Sequence, residues 1–168
     1  GMQADLKTFA ALDVYGCTVL TAVTAQNTTG VKQSTLLDPE LVEAQIDAVA
    51  GDIKVDAIKT GMLGSAEIVK TVLKAINRHN LFPLVVDPVV VAKGGQELID
   101  EETLESLKRH LLPLAAIVTP NGHEAARLIG RSDPIDDVPT AAAAAEQICF
   151  RHGAKACVVT GIRRPNDE

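Results

Sequence analysis

Short apolar runs rich in β-branched residues alternate along the chain with longer segments in which apolar residues recur at helical spacing. The runs predict strands at residues 17–25, 57–60, 84–86, 116–118 and 155–159. Because strands and helices alternate, we expect a mostly parallel sheet flanked by helices, with right-handed crossovers. The sequence shows no internal repeat and no convincing linker. The pattern therefore predicts a single α/β domain over residues 1–168.

The helices are predicted from apolar spacing and from residues that commonly cap helix ends. The first lies at residues 3–12, and the others begin at Asp38-Pro39, Ser65, Asp100, Asn121 and Thr140. Gly130 is expected to end the helix that starts at Asn121. In the helix after Asp38, the predicted buried stripe is Leu41, Val42, Gln45, Ile46 and Val49. A polar loop is predicted at residues 26–30.

The composition favours a soluble cytoplasmic protein that does not bind nucleic acid. Ala, Val, Leu and Ile dominate the apolar residues, as is typical of helices packed on a buried parallel sheet. A net charge of −6 and only four aromatic residues argue against binding to nucleic acid. No apolar run is long enough to cross a membrane, and no signal peptide is recognisable. The cysteines, Cys17, Cys149 and Cys157, lack metal-ligand spacing and are expected to be buried reduced thiols.

Polar or glycine-bearing segments follow each predicted strand. They are Gln26-Asn27-Thr28, Gly61-Met62, Asp87-Pro88, Thr119-Pro120-Asn121 and Thr160-Gly161. The carboxyl ends of parallel strands share one edge, where ligands bind, so we expect these segments to meet. For single residues, a structural role remains as open as a ligand contact. Asp87 could simply form a turn, Met62 could fill the core, and Lys93 between glycines could contact a phosphate or face solvent.

The segment Thr119-Pro120-Asn121-Gly122-His123-Glu124 reads as a strand end followed by a helix start. The free N–H groups and the positive dipole end of a helix start attract anions. Glu124 lies one turn into the helix, where a carboxylate could hold a cation that in turn holds a phosphate. Asn and Glu at this spacing also form a capping box, which is a purely structural arrangement. Both interpretations remain open at this stage, and His123 is expected to face solvent.

Several sequence blocks resemble those of one known family. In order, they are residues 3–9 (QADLKTF), 21–28 (TAVTAQNT), 59–63 (KTGML), 86–89 (VDPV), 92–95 (AKGG), and Thr119-Pro120-Asn121 with Glu124. They resemble the hydroxymethylpyrimidine/phosphomethylpyrimidine kinases of thiamine biosynthesis, in the ribokinase-like superfamily. The resemblance extends to Gly161, and its first two blocks are specific to this branch of the superfamily.

The resemblance implies ATP- and Mg²⁺-dependent transfer of phosphate to hydroxymethylpyrimidine and then to its monophosphate. It places Asp5, Gln26, Met62 and Val89 at the pyrimidine. It places Lys93, Asn121, Thr160 and Gly161 at the nucleotide, and Asp87, Asn121 and Glu124 at Mg²⁺. Gln26 can both donate and accept hydrogen bonds, which suits an aminopyrimidine edge.

Three departures from the family pattern stand out. The strand and glycine-rich turn that precede Gln3 in the family are not seen, Thr160-Gly161 replaces a usual Lys-Gly-Gly, and the later Gly-Thr-Gly-Cys segment is missing. The sequence therefore resembles part of a ribokinase-like domain, and we expect these residues alone to transfer phosphate poorly. An unpaired sheet edge would favour a homo-oligomer. The alternatives are a pyridoxal kinase-like enzyme, or a non-catalytic pyrimidine-binding domain.

Overall fold

The computed structural model describes residues 1–91 and 98–162, in which six α-helices are connected by short strands. The helices are α1 Met2–Ala11, α2 Pro39–Ala50, α3 Ala66–His79, α4 Glu101–His110, α5 Gly122–Ile129 and α6 Val138–His152. The strands are β1 Ala22–Asn27, β2 Gly30–Leu36, β3 Ile58–Thr60, β4 Leu84–Val86 and β5 Ala115–Val118. A 3-10 turn at Leu112–Leu114 leads into β5.

The central sheet is parallel and has the strand order β3-β4-β5. These three strands match the predictions for residues 57–60, 84–86 and 116–118 to within one residue. The predicted strand at 155–159 runs parallel to β5 and is joined to it by backbone hydrogen bonds, but it forms only the isolated bridges Val118–Cys157 and Asn121–Thr160 and no continuous strand. The carboxyl ends of these segments therefore lie along one edge, as the sequence predicted.

The prediction that the strand at residues 17–25 joins the parallel sheet is wrong. The strand begins later, at Ala22, and pairs antiparallel with β2, so that the two strands form a separate hairpin. The predicted polar loop at 26–30 is also wrong, because only Thr28 and Thr29 form the turn. The Asn27 side chain accepts hydrogen bonds from the N–H groups of Thr29 and Gly30, which closes this turn. Tight local pairing has thus replaced a long crossover connection.

Side-chain caps begin most helices where the sequence predicted them. Asp38, Ser65, Asp100 and Asn121 each accept a hydrogen bond from a backbone N–H in the first turn of their helix. Thr140 was the wrong cap for α6. Asp137 caps this helix instead, and it accepts a hydrogen bond from the N–H of Thr140 at 2.8 Å. The proline-marked start therefore lies inside the helix, since proline needs no donor there.

One face of the parallel sheet is buried, and the other is more open. Leu84, Val86 and Val118 are fully buried on the first face. Lys59, Val85 and Ile117 are paired across the strands and share the second face, where Ile117 is 38% exposed. The side chain of Lys59 consequently lies on the more open face, where it is 27% exposed.

Two burial predictions are corrected. Leu41 was predicted to be buried in α2 but is 50% exposed, whereas Val42 and Ile46 of the same helix are buried. The helix therefore faces the core through a narrower stripe than its apolar residues suggested. Cys17 is exposed, and Cys149 and Cys157 are only partly buried, although all three thiols are free as predicted. None of the helices in the described ranges could span a membrane.

Candidate active site

A lysine joins two of the predicted site carboxylates at the open sheet face. Lys59 Nζ lies 2.9 and 3.1 Å from the two carboxylate oxygens of Asp5 and 3.0 Å from Oδ2 of Asp87. The three residues come from α1, from β3 and from the segment directly after β4. About one third or less of each side chain is exposed. Chain segments far apart in sequence are thus held together by one ammonium group.

The ion pairs decide the protonation state of Lys59. Burial alone would lower the pKa of Lys59, but hydrogen bonds and negative charge from Asp5 and Asp87 outweigh it and raise the pKa above its ordinary value. Lys59 is therefore a fixed cation between two carboxylates. Lys59 lies within a sequence block shared with the family, but no role was predicted for it. The available signal was a charged residue in the middle of a short strand, because such lysines are usually paired.

Backbone hydrogen bonds fix the position of Asp87 at the strand end. Its N–H donates to the carbonyl of Thr60 at 3.0 Å, which continues the pairing of β3 with β4. Its carbonyl accepts from the N–H of Val89 at 2.9 Å, which turns the chain sharply. Val89, predicted at the pyrimidine, therefore lies two residues beyond Asp87 on the same turn and is partly exposed. Lys93, predicted at the nucleotide, falls outside the described residues.

The start of α5 is a complete capping box. Asn121 Oδ1 accepts from the N–H groups of His123 and Glu124, each at 3.0 Å, and Glu124 Oε2 accepts from the N–H of Asn121 at 2.8 Å. The capping interpretation of this motif is thus confirmed. His123 is exposed, as predicted. Gly122 is required here because a Cβ at this position would collide with the backbone carbonyl of Ile135.

Capping does not account for everything about Glu124. Glu124 is only 3% exposed, and this burial raises the pKa of its carboxyl group above its ordinary value. The nearby charge of Asp87 raises the pKa further, while hydrogen bonds from Asn121 and Val90 oppose the shift. A buried carboxylate that faces a second carboxylate is costly in its ionised form unless a cation is near.

The predicted nucleotide residues lie beside this helix start. Thr160 forms a parallel bridge with Asn121, and its N–H donates to the carbonyl of Pro120 at 2.8 Å. Gly161 follows with a φ of 71°, a left-handed conformation that favours glycine. Both residues are exposed beside the start of α5. The structure therefore brings Asn121, Thr160 and Gly161 together, as the sequence predicted.

Met62 lies where β3 leaves the sheet and contacts the base of the hairpin. Its carbonyl accepts a hydrogen bond from Thr21 Oγ1 at 2.6 Å. Next to it, Gly64 has a φ of 79° and packs so closely against Leu36 that a Cβ would meet the leucine side chain. This contact was not predicted, because Thr21 was expected to lie in the middle of the strand at residues 17–25.

Gln26 is placed differently from the expectation. It lies on the exposed hairpin, opposite Val31 and next to a β-bulge, and does not follow a strand of the parallel sheet. The structure therefore removes the argument that sheet topology brings Gln26 to the common edge. The base of its hairpin nevertheless contacts the turn that contains Met62. Its role at the pyrimidine stays a prediction.

The carboxylates of Asp87 and Glu124 suit a hard cation that also binds to a phosphate. Asp87 and Glu124 offer carboxylate oxygens close enough for their charges to interact. Within residues 1–91 and 98–162, no group of three or more His, Cys, Asp or Glu side chains could form a metal site by itself. Mg²⁺ is usually bound by one or two carboxylates together with substrate phosphates, so two carboxylates match its ordinary ligand set.

Comparison with known proteins gives a consistent result. A family model described as phosphomethylpyrimidine kinase matches residues 1–168. The hydroxymethylpyrimidine/phosphomethylpyrimidine kinase of Bacillus subtilis is 42% identical over 167 residues, which is 99% of this chain and 60% of that protein. The chain thus spans less than two thirds of the length of this relative.

Solved structures of two kinds of vitamin kinase superimpose on the chain. A phosphomethylpyrimidine kinase from Clostridium difficile covers 99% of this chain, with 71% of its own length, a TM-score of 0.85 and 40% identity. A pyridoxal kinase from Staphylococcus aureus in complex with AMP-PCP and pyridoxal covers 96%, with 56% of its own length, a TM-score of 0.80 and 38% identity. These similarities confirm the predicted α/β, ribokinase-like fold class.

Proposed function

Because the chain belongs to the phosphomethylpyrimidine kinase family, we propose that the protein transfers phosphate from ATP to hydroxymethylpyrimidine and then to its monophosphate. The observation that carries this proposal is the carboxylate cluster at the strand ends. Asp5, Lys59 and Asp87 lie in one ion-pair network, and the charge of Asp87 also acts on Glu124 at the start of α5. Such an arrangement combines a polar pocket for a base with a site for phosphate and a cation.

The pyrimidine subsite in this proposal consists of Asp5, Gln26, Met62 and Val89. The Asp5 carboxylate accepts a hydrogen bond from an amino group, and Gln26 donates to and accepts from the ring edge. Met62 and Val89 supply apolar contacts for the ring faces. The partly exposed positions of Asp5, Met62 and Val89 around the two strand ends support this assignment.

The nucleotide and Mg²⁺ subsites consist of two overlapping groups. Asn121, Thr160 and Gly161, together with Lys93, bind the phosphates of ATP, and Asp87, Asn121 and Glu124 hold Mg²⁺. When bound, Mg²⁺ neutralises charge on the transferred phosphoryl group. The positive dipole end of α5 attracts phosphate oxygens, and Asp87 and Glu124 orient the cation. The negative charge of Asp87 close to the buried Glu124 carboxylate supports a cation between them.

The test is an ATP-dependent kinase assay on the purified protein, with hydroxymethylpyrimidine, its monophosphate and pyridoxal as separate substrates. We expect the first two substrates to release more ADP than pyridoxal does, whatever the overall rate. A preference for pyridoxal would instead support the second candidate function, which the similarity to a pyridoxal kinase favours. Calorimetry in parallel would detect binding of the pyrimidine without transfer, the result expected of a non-catalytic binding domain. Lack of binding to any of the three compounds would contradict the proposal.

Two predictions about the protein as a whole accompany this function. We propose a cytoplasmic, homo-oligomeric enzyme whose partners are small molecules. Light scattering after size-exclusion chromatography tests the oligomeric state, and a monomer at micromolar concentration would contradict it.

A further inference from the structure

We propose that Lys59 is a positioning residue that orients Asp5 for the pyrimidine and links it to Asp87. This inference rests on the proposed function, because it assigns Lys59 to the pyrimidine subsite of that same kinase. The ammonium group of Lys59 contacts the two carboxylates, and Lys59 needs no contact of its own with the ligand.

The geometry of the contacts distinguishes Lys59 from an ordinary surface ion pair. Its ammonium group contacts both oxygens of Asp5, at 2.9 and 3.1 Å, which restricts rotation of that carboxylate. The same group contacts Asp87 Oδ2 at 3.0 Å. By contrast, the Lys54–Asp56 pair has one contact at 3.3 Å between side chains that are 91% and 82% exposed.

The location of the contacts points to function in addition to packing. Asp5 belongs to the proposed pyrimidine subsite, and Asp87 belongs to the proposed Mg²⁺ subsite. Without Lys59, the two carboxylates would face each other without a counter-charge, and Asp5 would lose the partner that fixes its direction. A change at Asp87 is therefore transmitted to Asp5 through the lysine.

The first experiment measures hydroxymethylpyrimidine affinity by calorimetry in EDTA, for the wild type, Lys59→Met and Lys59→Arg. The matched control is Lys54→Met, which removes the same charge from an exposed pair. We expect Lys59→Met to weaken binding about tenfold, the effect of one lost charge-assisted hydrogen bond. Lys59→Arg should recover most of the affinity, and Lys54→Met should leave it unchanged. Thermal melting of each variant separates a loss of fold from a loss of affinity.

The second experiment tests the link to Asp87 with a double-mutant cycle. In the Lys59→Met background, Asp87→Asn removes an unpaired like charge and should improve pyrimidine affinity about threefold or more. In the wild-type background, the same change leaves Lys59 on Asp5 and should not improve affinity. Equal effects of Asp87→Asn in both backgrounds would overturn the proposed link.

The outcomes separate this inference from the proposed function. If the folded wild type does not bind the pyrimidine, both proposals fail. If the wild type binds and Lys59→Met binds equally well, only the assignment of Lys59 fails. An equal loss in Lys59→Met and Lys54→Met would also overturn it, because the effect would then come from net charge.

Discussion

Replacement of Glu124 by glutamine separates a helix cap from a cation ligand. In the wild type, the N–H of Asn121 donates to Glu124 Oε2 at 2.8 Å, and the oxygen of the glutamine side chain can still accept this hydrogen bond. That hydrogen bond is then made to a neutral amide and no longer to a charged carboxylate, which weakens it by about 1 kcal/mol. In return, the variant no longer buries a negative charge near Asp87. We expect these terms to offset, leaving a net loss in the free energy of unfolding of about 1 kcal/mol or less at neutral pH.

The pH dependence of this difference has a definite sign. The pKa of Glu124 is raised in the folded protein, so its favourable contribution is complete below its ordinary pKa and is lost as pH rises through the folded pKa. The stability advantage of the wild type over Glu124→Gln should therefore shrink from acid to neutral pH. Urea denaturation of both proteins across this range measures it.

Glu105→Gln provides a matched control with the opposite sign. Hydrogen bonding and charge from Lys108 lower the pKa of Glu105 in the folded protein. Its favourable contribution is therefore present above its ordinary pKa and is lost as pH falls through the folded pKa. As pH rises from acid to neutral, the stability advantage of the wild type over Glu105→Gln should grow, whereas its stability advantage over Glu124→Gln should shrink.

Nucleotide binding then decides the role of Glu124. If its carboxylate helps to hold Mg²⁺, calorimetry should show that Glu124→Gln weakens Mg·ADP binding about tenfold or more, while Glu105→Gln leaves it unchanged. Unchanged Mg·ADP affinity in Glu124→Gln would refute the metal assignment and leave only the cap. A stability difference that does not vary with pH would refute the reasoning about burial.

Three further predictions concern other parts of the chain. Gln26→Ala should weaken hydroxymethylpyrimidine binding by about 1–3 kcal/mol in calorimetry, because a buried polar group of the ligand would lose its partner; unchanged affinity would remove Gln26 from the site. Gly122→Ala should lower the free energy of unfolding in urea by about 1–3 kcal/mol, because the methyl group would collide with the carbonyl of Ile135; wild-type stability would contradict this packing. Iodoacetamide should modify exposed Cys17 well before Cys157, since burial raises the pKa of Cys157 to about 12; peptide mapping that finds equal rates would contradict this order.

Predictions from the sequence were most accurate where the determining contacts are local. Ser65, Asp100 and Asn121 were identified as caps because each bonds to a backbone N–H within three residues. The parallel strand at Leu84–Val86 was also identified, since a largely buried central strand is a continuous apolar run. The shared edge of the candidate site followed from these elements and from the topology of parallel sheets.

Predictions failed where pairing partners decide the structure. The pattern of residues 17–25 indicates a strand but not its direction, and the antiparallel partner β2 carries mostly polar residues that gave no strand signal. With both faces of the hairpin largely exposed, the alternation of apolar and polar residues that reveals a half-buried strand is absent. Tertiary pairing therefore overrode the local pattern.

The role of Lys59 shows the same limit at the scale of a single side chain. Its partners are 54 and 28 positions away in sequence, so neither spacing nor periodicity could identify them. The pairing of β3 with β4 brings Lys59 close to Asp87, because it places Lys59 beside Val85 and aligns Thr60 with the residue before Asp87. Asp5 instead reaches the lysine from α1, a helix with no buried residue. The three charges therefore meet through one contact that the sheet determines and one that a surface helix makes, and no local pattern in the sequence describes either.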